Sequence, residues 1–178
     1  YYAGSAYMYE KRFTEAIDAF TRSIYYNPSY QPAYLERGLV KYRIGDYSSA
    51  IDDFNQAVFL DQEDADAYFD RGLAFVALGQ CDSASLDFRK AVDINRNDLD
   101  AWYNLAACAF TIENYNEAID AYAVLLLESP SDAEVLYRKG LAHFYLFDDE
   151  AACYNWEKAA ALGLDEAVEA YTKQCAQE

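Results

Sequence analysis

The chain repeats itself every 34 residues, and the fit holds without one insertion. Ala16, Ala50, Ala84, Ala118 and Ala152 fall in register. Four residues later come Phe20, Phe54, Phe88, Tyr122 and Trp156, always aromatic. Gly4, Gly38, Gly72 and Gly140 share another register, with Ala106 taking the slot in the fourth unit. A fixed period of this size dictates a stacked array, in which each unit buries its apolar face against its neighbours. The period constrains the architecture and points to binding, but it names no partner.

The 178 residues amount to about five units, enough for a continuous core. Charge is lopsided, with 31 acidic residues against 14 basic ones and a formal net charge of −17. Nucleic acid is a poor partner for such a surface, because affinity there comes from Lys and Arg neutralising phosphates. An anionic membrane is disfavoured for the same reason, and no apolar run of about 18 residues is present for direct insertion. The acidity fits either solubility of an extended fold or a choice of basic ligands. Cys81, Cys108, Cys153 and Cys175 form no CxxC pair and fall in helical patterns. They read as small buried hydrophobes, which leans towards a reducing, cytoplasmic compartment; a bacterial periplasm or cell envelope is the alternative. Tyr1 enters partway through a repeat, so the chain reads as a piece of something longer.

One unit, Gln31 to Asp64, shows the plan. Pro32 suits the first turn of a helix, where its missing N–H costs nothing. Gly45 supplies a left-handed stop, and Asp46 is placed to cap the next helix. That helix carries Tyr47, Ala50, Ile51, Phe54, Ala57 and Val58 at three- and four-residue steps, an amphipathic stripe ending near Leu60. Each unit is thus two antiparallel helices of about 13 residues. Mid-helix glycine costs about 1 kcal/mol relative to alanine, so four in one register need a reason. Close helix approach supplies one, with each glycine expected to face the small alanine of the second helix. Leu164, Val168, Tyr171 and Cys175 form a last apolar stripe with Asp165, Glu166, Glu169 and Lys173 outside, a closing helix that covers the end of the array.

Trp102, Leu105, Ala106, Ala118, Tyr122 and Pro130 of the fourth unit now carry a resemblance. The chain resembles a tetratricopeptide repeat protein, whose signature is W-x2-L-G-x2-Y, then A-x3-F, then P. Phe147 departs from the pattern, standing where glycine is common. The resemblance implies an all-α, right-handed superhelix (α-solenoid) of antiparallel helix pairs and a non-catalytic protein-binding role. Its style is similar to bacterial members. The expected organisation is an array over 1–163, with a partial repeat 1–30, repeats 31–64, 65–98, 99–132 and 133–163, and a closing helix over 164–178.

Two slots vary together. Arg37 and Arg71 stand where Leu105 and Ala3 stand in other units, while Asp53 and Asp87 stand where those units have Ala121 and Ala19. An unpaired buried charge costs several kcal/mol, so Arg37 is expected to pair with Asp53, and Arg71 with Asp87, or each with the next unit's copy. Lys139 and Asn155 read as a looser version in unit five.

The first helix of each unit carries a second stripe, which in proteins similar to this one lines the concave groove. In unit two it holds Leu35, Glu36, Leu39, Tyr42 and Arg43. Unit three contributes Asp66, Phe69, Asp70 and Leu73, and unit four Asp100, Tyr103, Asn104 and Phe110. Unit five contributes Tyr137 and Arg138, with Phe144 and Tyr145 alongside. Exposed apolar side chains mark interaction sites, and the carboxylates outnumber Arg43 and Arg138. The expected ligand is a peptide or protein segment with apolar anchors and some Lys or Arg. An equally simple reading packs these aromatics on neighbouring first helices and leaves the acids solvated. Related chaperone-binding repeats grip a carboxylate with Lys and Asn at these registers. Leu35, Glu36, Asp66, Phe69 and Asp70 stand there instead, so that role does not carry over.

Other functions find little support. His143 is the single histidine and shares a register with Tyr7 and Phe75, so it reads as a packing residue. No cysteine has a histidine at nucleophile-pair spacing, no zinc spacing occurs, and no Gly-rich phosphate loop is present. The chain is therefore expected to need no metal or other cofactor and to be no enzyme. The rival reading is a structural spacer, or a self-associating segment that stacks through Tyr1, Tyr2 and Met8.

Overall fold

Eleven helices account for most of the described residues, 1–176 of the computed structural model, and no strand occurs among them. The first unit, Tyr1–Asn97, carries α1 (Tyr2–Tyr9), α2 (Phe13–Tyr26), α3 (Gln31–Arg43), α4 (Tyr47–Leu60), α5 (Ala65–Ala77) and α6 (Cys81–Ile94). The second unit, from Asp98 onwards, carries α7 (Leu99–Thr111), α8 (Tyr115–Glu128), α9 (Ala133–Tyr145), α10 (Asp149–Ala161) and α11 (Asp165–Gln174). Within each unit every helix packs on its neighbours in chain order, and the first helices α3 and α5 also touch. The fold is therefore all-α, a solenoid of antiparallel helix pairs in 34-residue step.

Acidic side chains start many of these helices. Asp46 Oδ1 accepts from the Ser49 amide at 3.3 Å and Asp148 Oδ1 from Ala151 at 3.2 Å. Asp64, Asp98 and Asp132 do the same for α5, α7 and α9 at 3.0–3.1 Å. Such a cap contributes about 1 kcal/mol, so part of the acidity is spent on local structure. Gly45 and Gly79 close the hairpin turns at φ of +84° and +72°. The same turn holds Lys11, Glu113 and Phe147 at φ of about +60°, a conformation that costs an L-residue on the order of 1–2 kcal/mol.

The in-register glycines face the aromatic ring of their own hairpin, not the alanine that the sequence suggested. A Cβ on Gly38 would sit 2.6 Å from Phe54 Cε1, and one on Gly72 2.7 Å from Phe88 Cε1. At Gly140 the ring is Trp156, whose Nε1 would lie 2.5 Å away. The ring lies over bare backbone, and the alanines Ala50, Ala84 and Ala152 are buried beside it. Phe54 also packs with Ala74 of the next hairpin, so each ring joins two repeats.

Charge braces the first unit. Arg37 Nε and Nη2 donate to Asp53 Oδ2 and Oδ1 at 2.8 and 2.6 Å. Arg71 makes the same two bonds to Asp87 at 2.8 and 2.6 Å. The Asp53 side chain is 4% exposed. Each arginine also reaches the preceding second helix, Arg37 Nη1 to Thr21 Oγ1 at 2.9 Å and Arg71 Nη1 to Asn55 Oδ1 at 2.8 Å. Lys41 adds a contact to Asp53 at 2.8 Å. In the second unit Leu105 and Ala121 are buried at the equivalent slots. Asn155 turns back on its own helix, donating to the Ala151 carbonyl at 2.7 Å.

Two expectations need correction at the end of the chain. Cys153 and Cys175 are not separate packing residues but a disulfide, with Cα atoms 5.7 Å apart. Helix α11 runs back along α10, so its last residues meet the early turns of α10, a closeness that linear spacing hides. The lean towards a reducing compartment loses its ground, because disulfides persist in oxidising surroundings. Cys108 is buried and Cys81 half-buried. The closing helix departs from its expected stripe at one position: Leu164 packs against Leu136, Ala159 and the buried Ala167, and Tyr171 and Cys175 are half-buried, but Val168 is 45% exposed. A small side chain lets α11 sit close, and the larger valine falls beside the contact. Residues 177 and 178 of the expected closing segment lie outside the described residues. Among the described residues no helix is long and apolar enough to cross a membrane.

Candidate functional site

The stripe on the first helices divides into apolar members that pack and polar members that do not. On α3, Leu35, Leu39 and Tyr42 are half-buried against the core of Ala50, Phe54 and Ala74. On α5, Leu73 is half-buried and the Phe69 ring leans on Phe88 at 5.7 Å. The α3 side chains therefore help join their hairpin to Ala74 of the next, while Phe69 packs within its own. The polar members gather on the same face. Glu36 of α3 and Asp64 and Asp66 of α5 and its cap all act on Asp70, with Arg43 the opposing cation. Burial pushes the Asp70 carboxyl up to about 7, and Asp66, Asp64 and Glu36 add to it while Arg43 works against it. Gln31 Nε2 donates to Asp64 Oδ2. Tyr1 reaches one Glu36 oxygen at 3.5 Å, and the other, Oε2, is buried with no hydrogen-bond partner. Burial and like charge disfavour the charged form of Asp70, so a cation placed there relieves the crowding.

The second unit builds its face differently. Asp100 is exposed, and Asn104 is occupied in donating to the Asp100 carbonyl at 2.8 Å. Tyr103 is 37% exposed. Arg138 Nη2 pairs with Glu134 Oε1 one turn back at 2.7 Å, and its Nε is buried without a partner. Burial raises Tyr122 to about 12, with Arg138 lowering it in part. The aromatic members stack: Tyr145 lies parallel to Tyr115 at 5.1 Å and meets Phe110 edge-on at 5.7 Å. Phe144 leans on Trp156 at 5.6 Å. Tyr137, Phe144, Tyr145 and Trp156 then line an open cavity of about 270 Å³ whose far wall is α11, with Glu166 and Glu169. The sequence places those two carboxylates on the outer side of α11, and both are exposed there, at the edge of the cavity. His143 Nδ1 sits 3.1 Å from Asp148 Oδ2 across the turn between α9 and α10, a local tie. Among the described residues no group of three or more His, Cys, Asp or Glu could hold a metal ion.

Comparison with known proteins agrees with this geometry. Tetratricopeptide repeat families match over residues 1–30 and 69–134, and a TPR repeat family over 38–79. The structure is similar to a crystal structure of MamA protein, with a TM-score of 0.79 at 23% identity over 99% of this chain and 93% of that one. It is similar too to YrrB, described as a TPR protein with an unusual peptide-binding site, with a TM-score of 0.83 at 23% identity, covering 95% of this chain and 88% of that one. A MamA fragment from Desulfovibrio magneticus RS-1 aligns with a TM-score of 0.75 at 17% identity, over 89% of this chain and 90% of that one. No curated protein matched in sequence.

Proposed function

Starting from the chain's membership of the tetratricopeptide repeat family, we propose that it is a non-catalytic scaffold whose first-helix faces hold a peptide or protein segment. Its ligand presents apolar anchors and Lys or Arg. The fold is that of protein-interaction scaffolds, and function on such a fold lives in its exposed face. One observation carries the basic character: Glu36, Asp66 and Asp70 crowd together with a single opposing Arg43 and one buried carboxylate oxygen left without a donor. Such crowding costs the free protein stability that a bound cation returns. The peptide-binding description of YrrB supports a peptide as ligand. The acidic surface as a whole, at −17, would speed the encounter with a basic partner.

The test is a fluorescent peptide library, screened by anisotropy at low and high salt. Basic peptides with two or more apolar anchors should bind, and binding should weaken as salt rises. Replacing Asp66 and Asp70 by Asn should cost at least tenfold in affinity. A library with no salt-dependent binder would overturn the basic-peptide reading. Reversible self-association in sedimentation by a protein that captures no peptide would favour an assembly segment instead.

A further inference from the structure

The cavity at the end of the second unit has a build that the rest of the stripe lacks. Its floor is made of rings fixed by packing. Trp156 is 2% exposed and donates from Nε1 to the Tyr137 carbonyl at 3.3 Å. Phe144 rests on that indole, and Tyr145 is locked by its stack with Tyr115. The opposite wall belongs to α11, which lines the cavity with Glu166 and Glu169. Burial raises the Tyr137 hydroxyl, and Glu166, Glu134 and Glu169 raise it further, so all three carboxylates are felt at that ring. Lys173 also reaches the rim, leaving two wall carboxylates to one ammonium. The disulfide between Cys153 and Cys175 ties the end of α11 to α10, which fixes the wall.

Size and charge together select the occupant. A volume of about 270 Å³ falls just below the range of roughly 300–1,000 Å³ for small-molecule sites, and suits one long side chain. Aromatic faces attract a cation, and the carboxylates attract it again. An anionic side chain meets repulsion, and a neutral one gains nothing from the carboxylates. We propose that this cavity takes a lysine or arginine side chain of the bound segment, its carbon stem on the rings of Tyr137 and Phe144 and its cation before Glu166 and Glu169. The inference rests on the scaffold reading above and adds to it a defined subsite for one cationic residue.

The experiment follows the Trp156 indole N–H by NMR, with a Trp156→Phe variant for assignment against Trp102. Three probes are titrated into the intact protein: N-acetyl-lysine amide, N-acetyl-arginine amide and uncharged N-acetyl-norleucine amide. The two cations should give saturable shifts, with norleucine at least tenfold weaker. The exposed pair Glu166→Gln and Glu169→Gln should lower cation affinity at least tenfold and leave the melting temperature unchanged. Norleucine binding as well as lysine, no shift with any probe, or indifference to the double substitution each overturns the subsite. The same double variant is then tested on the best library peptide. A peptide sensitive to Asp66 and Asp70 but not to Glu166 and Glu169 removes the subsite and keeps the scaffold. Cations that bind here while no peptide binds anywhere remove the scaffold reading and keep the subsite.

Discussion

The middle of the first unit and the start of the second solve one packing problem with opposite chemistry. In the first, the slot between the helices of a hairpin holds Arg37 with Asp53 and Arg71 with Asp87, each pair forked and nearly dry. In the second, Leu105 and Ala121 fill the same slot. The units differ on their outer chemistry as well: carboxylates crowd around Asp70 in the first, whereas rings stack around Tyr145 in the second. The lesson is that the repeat fixes shape and spacing, not polarity. A buried ion pair can stand for an apolar pair if both partners change together, because breaking one partner strands the other.

The largest effect should come from stranding a charge. Arg37→Leu alone leaves Asp53 buried with only Lys41, and urea unfolding should show a loss of about 3–5 kcal/mol. The triple variant Arg37→Leu, Lys41→Ala, Asp53→Ala copies Leu105, Ala109 and Ala121, and should recover most of that loss. A single-variant loss below about 0.5 kcal/mol, the scale of a surface pair, breaks the comparison. Next comes the disulfide. Reducing Cys153–Cys175 with a dithiol should lower stability by about 3 kcal/mol for a loop of this length, read as a melting shift against a Cys153→Ser, Cys175→Ser control that no longer responds.

Gly72→Ala should cost about 2 kcal/mol, because the Phe88 ring is fully buried and cannot move aside. The mirror change Ala106→Gly should cost about 1 kcal/mol through helix propensity alone; calorimetry on both separates steric from propensity effects. Asp70 gives a smaller effect with a definite sign. Its folded pKa, about 7, lies above the unfolded 3.8, so between these values the folded state holds the extra proton and stability falls as pH rises. Asp70→Asn should therefore stabilise by about 1–2 kcal/mol at pH 8, and the gain should fade as pH drops towards 4. Unfolding curves across that range check it. Smallest is Glu113→Gly, which relieves a left-handed residue at φ +62° and should stabilise by about 1 kcal/mol.

The hairpins were legible because their period is written five times over. Tyr47–Leu60 emerges as a helix from its stripe alone, and Gly45 with Asp46 marks the turn. Pairing was harder. That glycine meets a ring rather than an alanine depends on how far the hairpin rotates, which spacing does not specify. Cys153 and Cys175 look unrelated along the chain, and only the return of α11 unites them. The groove was legible as a register but not as a surface: Leu35, Leu39 and Phe69 share the stripe with Glu36 and Asp70, yet they are used in packing. Glu166 and Glu169 are exposed, as their place outside the α11 stripe suggests, but nothing in one helix says which rings they will neighbour.

The account turns on which face meets the ligand. Amide chemical-shift mapping with the tightest basic library peptide tests this most directly. Shifts should gather on α3 and α5 around Glu36, Asp66 and Asp70, and on α9 around Tyr137 and Arg138. Shifts confined to the exposed sides of the second helices, around Phe59, Leu86 or Tyr154, would contradict it.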